Sequence, residues 1–489
     1  MTDPALAELE ARARAAITAG DWAAAIAAFH DVARLHPGEA RAWTNLGRAL
    51  AKAGRPVEPA LRRAVVLAPA SAPALDLSVT VSGSGLENRR WAWLACADPS
   101  RPLAAKVLAA SLQKRGRADV AAELFARAVA LDPQDVDATV NLALCEIEIG
   151  RHAAAEARLD AVIARAPAET RARYARGWMR LARRDWSGYE DYDARWRTPD
   201  PDARSRLISA PLWRGGAVTG GSLALTAQFG VGDEILFAGL VPAAARMADS
   251  PVVLEADPRL APLFARSFPT VTVVARTDPP NPAMTDGIAA QSAVPRLPVL
   301  LGPGRDGFAP AAPYLRPDPK RVEHWRARLA ELGPGPYTGI AWRSGNRRTG
   351  GRKSIPLPVL APLLTALGGT VVSLQYSPDA EEIAEARAAG HPVPLDNPAV
   401  DIRDALDDLA AQVAAYDRIV TISGVTAHLA GALGVPGLVL MQRDPLWFWF
   451  AEGETVPWYP SLTLLRQTGD DWRDVVTEAA LRIGGGRPN

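Results

Sequence analysis

The sequence predicts an α-solenoid over residues 1–185, a connecting segment over 186–215, and an α/β region of two Rossmann-like lobes over 216–318 and 319–489. Three observations lead there. A glycine-to-proline spacing recurs through the first third of the chain. An aromatic and charged stretch, "DWSGYEDYDARWRTPD", then gives way to the turn signals of "APLWRGGAVTGG". Beyond it, short apolar runs alternate with helix-length segments, the pattern of parallel sheets covered by helices.

Composition narrows the class of protein. At 489 residues, with 48% apolar and 22% charged residues, the chain has the makeup of a globular protein with several cores. Its net charge of +1 supplies no general field for nucleic acid or anionic lipid, and no nucleic-acid motif is present. The opening "MTDPALAELEARARAAI" is acidic where a secretory signal is basic and apolar, and no run reaches about 18 apolar residues. A cytoplasmic protein without a transmembrane segment is expected. Cys96 and Cys145 both fall in helical patterns, which predicts buried inert thiols rather than a disulfide framework.

The repeat is explicit. Gly20 to Pro37, Gly116 to Pro133 and Gly150 to Pro167 each span 17 positions, with Phe29, Phe125 and Leu159 nine after the glycine. A degenerate copy runs from Gly54 to Pro69. The prolines Pro37, Pro69, Pro99, Pro133 and Pro167 fall 32, 30, 34 and 34 residues apart, close to the period of about 34 of a helix-turn-helix unit. Alanines let paired helices approach, a large side chain marks the second helix, and proline stops it. The pattern resembles tetratricopeptide repeats, with "WTNLGRALAKAGR" (43–55) as the first helix of one unit. Such units bury their apolar faces against neighbouring copies, and the concave side of the stack usually holds a polypeptide. Asn45 and Asn141 fall nine before Gly54 and Gly150. They resemble the asparagines that bind peptide backbone in the solenoid of O-linked N-acetylglucosamine transferases; a merely solvated amide is the alternative. Val107 breaks this ladder, and the stretch 71–100, with "VSGSG", Trp91 and Trp93, departs from the repeat.

In the first lobe, "SLALTAQFGVGDEILFAGLVPAAARM" reads as a buried strand at 223–227, a tight loop at 229–233 and then helix; "PVVLEA" and "TVTVVAR" are further strands. Ligands of such sheets sit outside the carboxyl ends of the strands. Gln228, Gly230 and Gly232 therefore mark a binding loop, in which glycine permits a sharp turn and leaves room for a ligand. Asp233 is either a helix-start acid that complements the helix dipole or a general base facing the cleft, and Glu234 competes with it.

The second lobe opens with a strand at Tyr337–Trp342. The cations after it, Arg343, Arg347, Arg348, Arg352 and Lys353, are either a solvated loop or a device that neutralises a diphosphate or a carboxylated sugar. "GTVVSLQ" is another strand, ending at Gln375 over the same cleft. Asp404, Asp407 and Asp408 read as helix-start electrostatics. The strand Arg418–Ile422 then runs into "TISGVTAHLAGALGVP". Ser423 is the expected N-cap of a helix reaching about Leu433, which leaves the amides of Gly424, Val425 and Thr426 as an anion seat. Thr426 adds a hydroxyl. His428 either packs in the core or donates a hydrogen bond to a phosphate or leaving group. No second ligand lies at metal-site spacing, so no metal is expected.

Five words, "GVGDEILFAGL", "IAWRSGNRR…KSIPL", "DALDDLAAQVAAYDRIVTIS", "AHLAGALGVP" and "PWYPSLTLLRQ", occur in the order found in bacterial glycosyltransferases that fuse tetratricopeptide repeats to a two-lobed GT-B domain. The chain is similar to the heptosyltransferases of lipopolysaccharide synthesis and, with its solenoid, to flagellin-modifying transferases. That resemblance implies catalytic roles for Asp233, as base, and His428. It implies donor binding by Arg343, Lys353, Gln375, Ser423, Gly424, Val425 and Thr426, with Lys353 at the diphosphate. Those relatives carry Asp-Thr-Gly before the histidine, where this chain has Ser423, Gly424 and Val425. Trp447, Trp449 and Trp458 either stack on a sugar or pack between the lobes. The implied activity is inverting and metal-independent: a sugar moves from a nucleotide-sugar co-substrate, with no other cofactor, to a hydroxyl of a polypeptide gripped by the solenoid. Flagellin is the leading acceptor by resemblance, and a nonulosonic acid or another activated sugar the donor. A non-catalytic adaptor with a degenerate transferase domain, and a transferase acting on a lipid-linked glycan, are the alternatives.

Overall fold

The computed structural model of the chain describes residues 4–56, 58–67, 102–114, 116–197, 208–228, 230–301, 313–345, 350–375, 380–396, 404–443, 445–469 and 471–485. It divides into two compact units, 1–167 and 168–489.

The first unit is helical. Helices pair as Pro4–Thr18 with Trp22–Leu35, Ala40–Lys52 with Glu58–Leu67, Pro102–Lys114 with Ala118–Leu131, and Val136–Glu148 with His152–Arg165. The repeated glycine closes the turn inside each pair: Gly20, Gly54, Gly116 and Gly150 have φ of 72°, 65°, 77° and 80°, a left-handed conformation that glycine adopts without steric penalty. Phe29, Phe125 and Leu159 are buried at the matching position of the second helices, as are Ala25, Ala121 and Ala155 four residues before them. Cys145 is fully buried, and burial pushes its thiol up to about 12, an inert group. The stretch 71–100, with Trp91, Trp93, Cys96 and Pro99, lies outside the described residues, as does Pro69.

The sequence ends the solenoid at 185; by compactness the chain divides at 167. The helix Thr170–Ala182 belongs to the second unit because its partners are there. The Ala451 amide donates to the Ala182 carbonyl at 2.7 Å, and Arg184 reaches the Thr455 carbonyl at 3.2 Å. Buried Asp191 receives Arg173 and Arg176 at 3.0 and 2.6 Å. Tyr189 and Tyr192 meet the Trp447 ring edge-on, with centroids 5.6 and 5.7 Å apart. Trp447, Trp449 and Trp458 are at most 4% exposed, so of their two readings packing is the one seen.

Two parallel sheets follow. The first comprises β1 (Ser222–Thr226), β2 (Val252–Ala256), β3 (Thr272–Ala275) and β4 (Ile288–Ala293) in the order β3-β2-β1-β4. The second comprises β5 (Tyr337–Ala341), β6 (Thr370–Ser373), β7 (Arg418–Ile422), β8 (Gly437–Met441) and β9 (Leu462–Arg466) in the order β6-β5-β7-β8-β9. All neighbours are parallel. Strand order therefore reverses between β1 and β4 in one sheet and between β5 and β7 in the other, and a crevice opens at each reversal beyond the carboxyl ends.

The lobes are joined through the helix Val425–Leu433. Gly431 lets that helix lie on Tyr459, since a Cβ there would come within 2.3 Å of the ring. The amides of Tyr314 and Leu315 both donate to the Ala432 carbonyl at 3.1 Å, and Arg266 pairs with Asp407. Asp407 and Asp408 sit in the first turn of Leu406–Ala415, where Arg321 approaches both at 3.8 Å and the Trp325 indole donates to Asp408 at 3.1 Å. Among the described residues, no helix is long and apolar enough to cross a membrane.

Candidate functional site

The loop after β1 delivers the first acid. Gly230 caps the helix Val231–Ala238 with an ordinary φ of −86°, and Asp233 is the third residue of that helix. Gly232 has a different use from the one its sequence suggests: a Cβ there would stand 3.0 Å from Cδ2 of His428, so the glycine serves contact between the lobes rather than room for a ligand. The two acids differ in their partners. Glu234 is buried, accepts the Asp257 amide at 2.7 Å and pairs with Arg276 at 3.3 Å, which fixes it as a structural brace. Burial pushes its carboxyl up to about 7 against those two partners. Gln228 is 6% exposed, and neither atom of its amide has a partner among the described residues. Its side chain lines a cavity with Asp233, Glu234 and Glu255 that has room for about one water molecule.

The elbow after β7 differs from expectation in two respects. Gly424, not Ser423, is the N-cap of Val425–Leu433; the Ser423 hydroxyl is drawn away to Gln442 at 2.8 Å. The Gly424 amide is also occupied, by the Ile422 carbonyl at 2.7 Å. Val425 and Thr426 keep amides without a protein acceptor among the described residues, as the first turn of a helix requires. The helix mouth therefore leaves two amides open rather than the three expected.

The basic loop contributes one ammonium. Lys353, at the end of the short helix Gly350–Lys353, places Nζ 3.3 Å from the Ser423 carbonyl. Arg343 is paired with Glu382 at 2.8 Å. Gln375 likewise is committed to the backbone: its Oε1 accepts the amides of Trp342 and Arg343 at 3.1 and 2.9 Å, and its Nε2 donates to the Arg343 carbonyl at 3.0 Å. Both hold protein contacts where the sequence suggests donor ligands. Arg347 and Arg348 lie outside the described residues.

Electrostatics tie these parts together. Burial pushes the Asp233 carboxyl up to about 6, opposed by Arg195, a hydrogen bond from the Gly230 amide, and Lys353. Lys353 is lowered by burial and raised by Asp233. His428, 5% exposed, is pushed down to about 3 by burial, with Lys353 adding to the effect, so its imidazole is neutral at physiological pH. Its Nδ1 lies 2.9 Å from the Tyr459 hydroxyl, and Phe448, Trp449 and Tyr459 pack on its ring. A carboxylate poised near neutrality, an ammonium and two open amides make a site able to remove a proton on one side and receive negative charge on the other.

Arg195 and Tyr459 were not legible as site residues. Arg195 comes from the turn Asp193–Arg197, is buried, and lies over the Tyr192 ring at 4.0 Å. A connecting segment has no periodicity to point a side chain anywhere, and only its density of aromatic and charged residues sets it apart. In the first unit, Asn45 and Asn141 are each the sixth residue of a repeat's first helix, Ala40–Lys52 and Val136–Glu148, and both are half-buried. Among the described residues no group of three or more His, Cys, Asp or Glu side chains is arranged to hold a metal ion.

Residues 10–72 and 112–179 each match a tetratricopeptide repeat family model. The paired helices are tetratricopeptide repeats. The second match runs beyond the solenoid into Thr170–Ala182, so that helix is repeat-like in sequence although it packs with the α/β unit. Protein FlbA of Caulobacter vibrioides is 32% identical over 357 residues, 69% of this chain, and the chain spans 59% of that relative's length. Among solved structures, a glycosyl transferase family 9 protein from Veillonella parvula aligns over 54% of this chain and 97% of its own, at 12% identity and a TM-score of 0.41. A tetratricopeptide repeat protein from Parabacteroides merdae aligns over 40% and 79%, at 15% identity and a TM-score of 0.34.

Proposed function

We propose that the chain is a glycosyltransferase that moves a sugar from a nucleotide-sugar to a hydroxyl of a polypeptide held by the tetratricopeptide solenoid. The observation that carries this reading is the meeting of Asp233 from one sheet edge with Lys353 and the open amides of Val425 and Thr426 from the other. In the reaction, the acceptor hydroxyl gives its proton to Asp233 and its oxygen bonds to the anomeric carbon. The bond from that carbon to the donor phosphate breaks, and the charge left on the phosphate oxygen passes to Lys353 and the two amides. A single displacement of this kind inverts the anomeric centre. The developing charge is met by protein groups, so the scheme calls on no metal ion. Flagellin is the first acceptor to test.

The experiment has two stages. Thermal shift against UDP-, CMP-, GDP- and ADP-sugars should show one nucleotide class stabilising the chain, by about 2.7 kcal/mol at 100 times its dissociation constant. Intact-mass analysis of flagellin co-expressed with the chain should then show added sugar mass. Stabilisation without a mass increment on any candidate polypeptide would redirect the acceptor to a lipid-linked glycan, and no stabilisation by any nucleotide would leave a non-catalytic adaptor.

A further inference from the structure

The cavity beside Asp233 collects polar atoms that the protein itself does not satisfy. Gln228 follows β1 at its carboxyl end and is 6% exposed, yet neither Nε2 nor Oε1 has a hydrogen-bond partner among the described residues. Buried Glu234 is satisfied on one side only. Its Oε2 accepts the Asp257 amide at 2.7 Å, whereas Oε1 stands 3.3 Å from Arg276 without hydrogen-bond geometry. Burying such groups without partners is unfavourable, and folded proteins complete them with ordered water. Gln228, Asp233 and Glu234 line one cavity with room for about one water molecule, closed otherwise by Glu255 and by apolar side chains such as Leu254, Phe264 and Val294. A buried water makes about two to four hydrogen bonds, and three groups here have the right polarity: the Gln228 amide donates, and two carboxylates accept.

We propose that this cavity binds one water molecule, anchored by Gln228 and donating one hydrogen to Asp233 and the other to Glu234. Gln228 is then a positioning residue that acts on Asp233 without touching substrate. The sequence places it in a ligand-binding loop; its amide is sealed from solvent and takes water instead. Both hydrogen bonds favour ionised carboxylates, so the water opposes the burial that pushes Asp233 up to about 6 and Glu234 up to about 7. The other charges acting on the pair are Arg195 and Lys353 at Asp233, and Arg276, Asp257 and Glu255 at Glu234. Only the description of Asp233 as the base rests on the transferase reading.

Two measurements on the full chain without substrate test the water site. A crystal structure is expected to show ordered density within hydrogen-bond distance of the Gln228 amide and of both carboxylates, and none in Gln228→Met, whose side chain has nearly the same shape and no amide. Carboxyl 13C titration, with the two signals identified by their loss in Asp233→Asn and Glu234→Gln, is expected to show both midpoints rising in Gln228→Met by about one pH unit, a tenfold change in proton affinity. A side chain that merely packed would leave both titrations in place. A dry cavity in the wild type would overturn the inference, as would midpoints unmoved, or only one moved, in a variant of unchanged Tm. If Gln228→Met does not fold, the wild-type density decides. Sugar transfer enters neither measurement, so its absence would strike the transferase reading and leave the water site standing.

Discussion

Asp233→Asn is expected to lower sugar transfer by about 10²–10⁴-fold at neutral pH, the usual contribution of a general base, while leaving the ligand-free chain more stable than the wild type. The stability gain follows from where the carboxyl titrates. Its folded value is about 6 against an ordinary 3.8, raised chiefly by burial. A raised acid contributes stability that is complete below the unfolded value and lost as pH rises through the folded one. At pH 8 the ionised side chain therefore costs at most about 3 kcal/mol, and asparagine removes that cost. The net gain is smaller, because Asp233 keeps some contact with water and because Lys353 loses the charge that opposes its desolvation. The variant's advantage should shrink between pH 6 and 4, and the wild-type rate should fall with a limb near pH 6 as the base protonates. Urea denaturation at several pH values, alongside the pH–rate profile, checks both. Unchanged transfer in Asp233→Asn would remove the aspartate from the chemistry.

Val425→Pro is expected to weaken nucleotide binding by about 10- to 100-fold with little change in the ligand-free Tm. Val425 is the first residue of its helix, a position where proline is tolerated because that amide has no partner within the helix. Gly424 before it is extended, with φ −139° and ψ −170°, as a residue preceding proline prefers. The substitution thus deletes one open N–H and leaves the helix start intact. A hydrogen bond to a charged group contributes about 1.5–3 kcal/mol, which sets the range of the loss. Calorimetric titration with the nucleotide found by thermal shift gives the comparison. Equal affinities would mean that phosphate does not sit on the helix mouth.

Much of this was legible from sequence where one physical rule acted alone. The glycine-to-proline spacing located the helical pairs because a left-handed turn and a helix stop each demand a particular residue. Strand β7 is legible at its observed bounds because four of the five residues of "RIVTI" are β-branched. Strand β4, "IAAQSA", went unread, since three alanines and a glutamine carry no strand signal apart from the sheet that pairs them. The site was legible as chemistry but not as wiring. Asp233, Lys353 and His428 do converge, but Ser423, Arg343 and Gln375 turned to Gln442, Glu382 and the β5 backbone. Those partners lie 19 to 39 residues away, beyond the reach of any local pattern. The tryptophans went the same way: spacing shows an aromatic cluster, while only tertiary packing tells whether a sugar or Tyr189 covers it.

The claim that an acid of one lobe faces a cation of the other is tested most directly by a double-mutant cycle on stability. It combines Asp233→Asn with Lys353→Met and compares pH 8 with pH 4.5. The expected result is a coupling energy of at least about 0.5 kcal/mol at pH 8 that fades at pH 4.5, where Asp233 has taken up its proton. Strict additivity at pH 8 would contradict the account, because it would mean that the two side chains do not share a site.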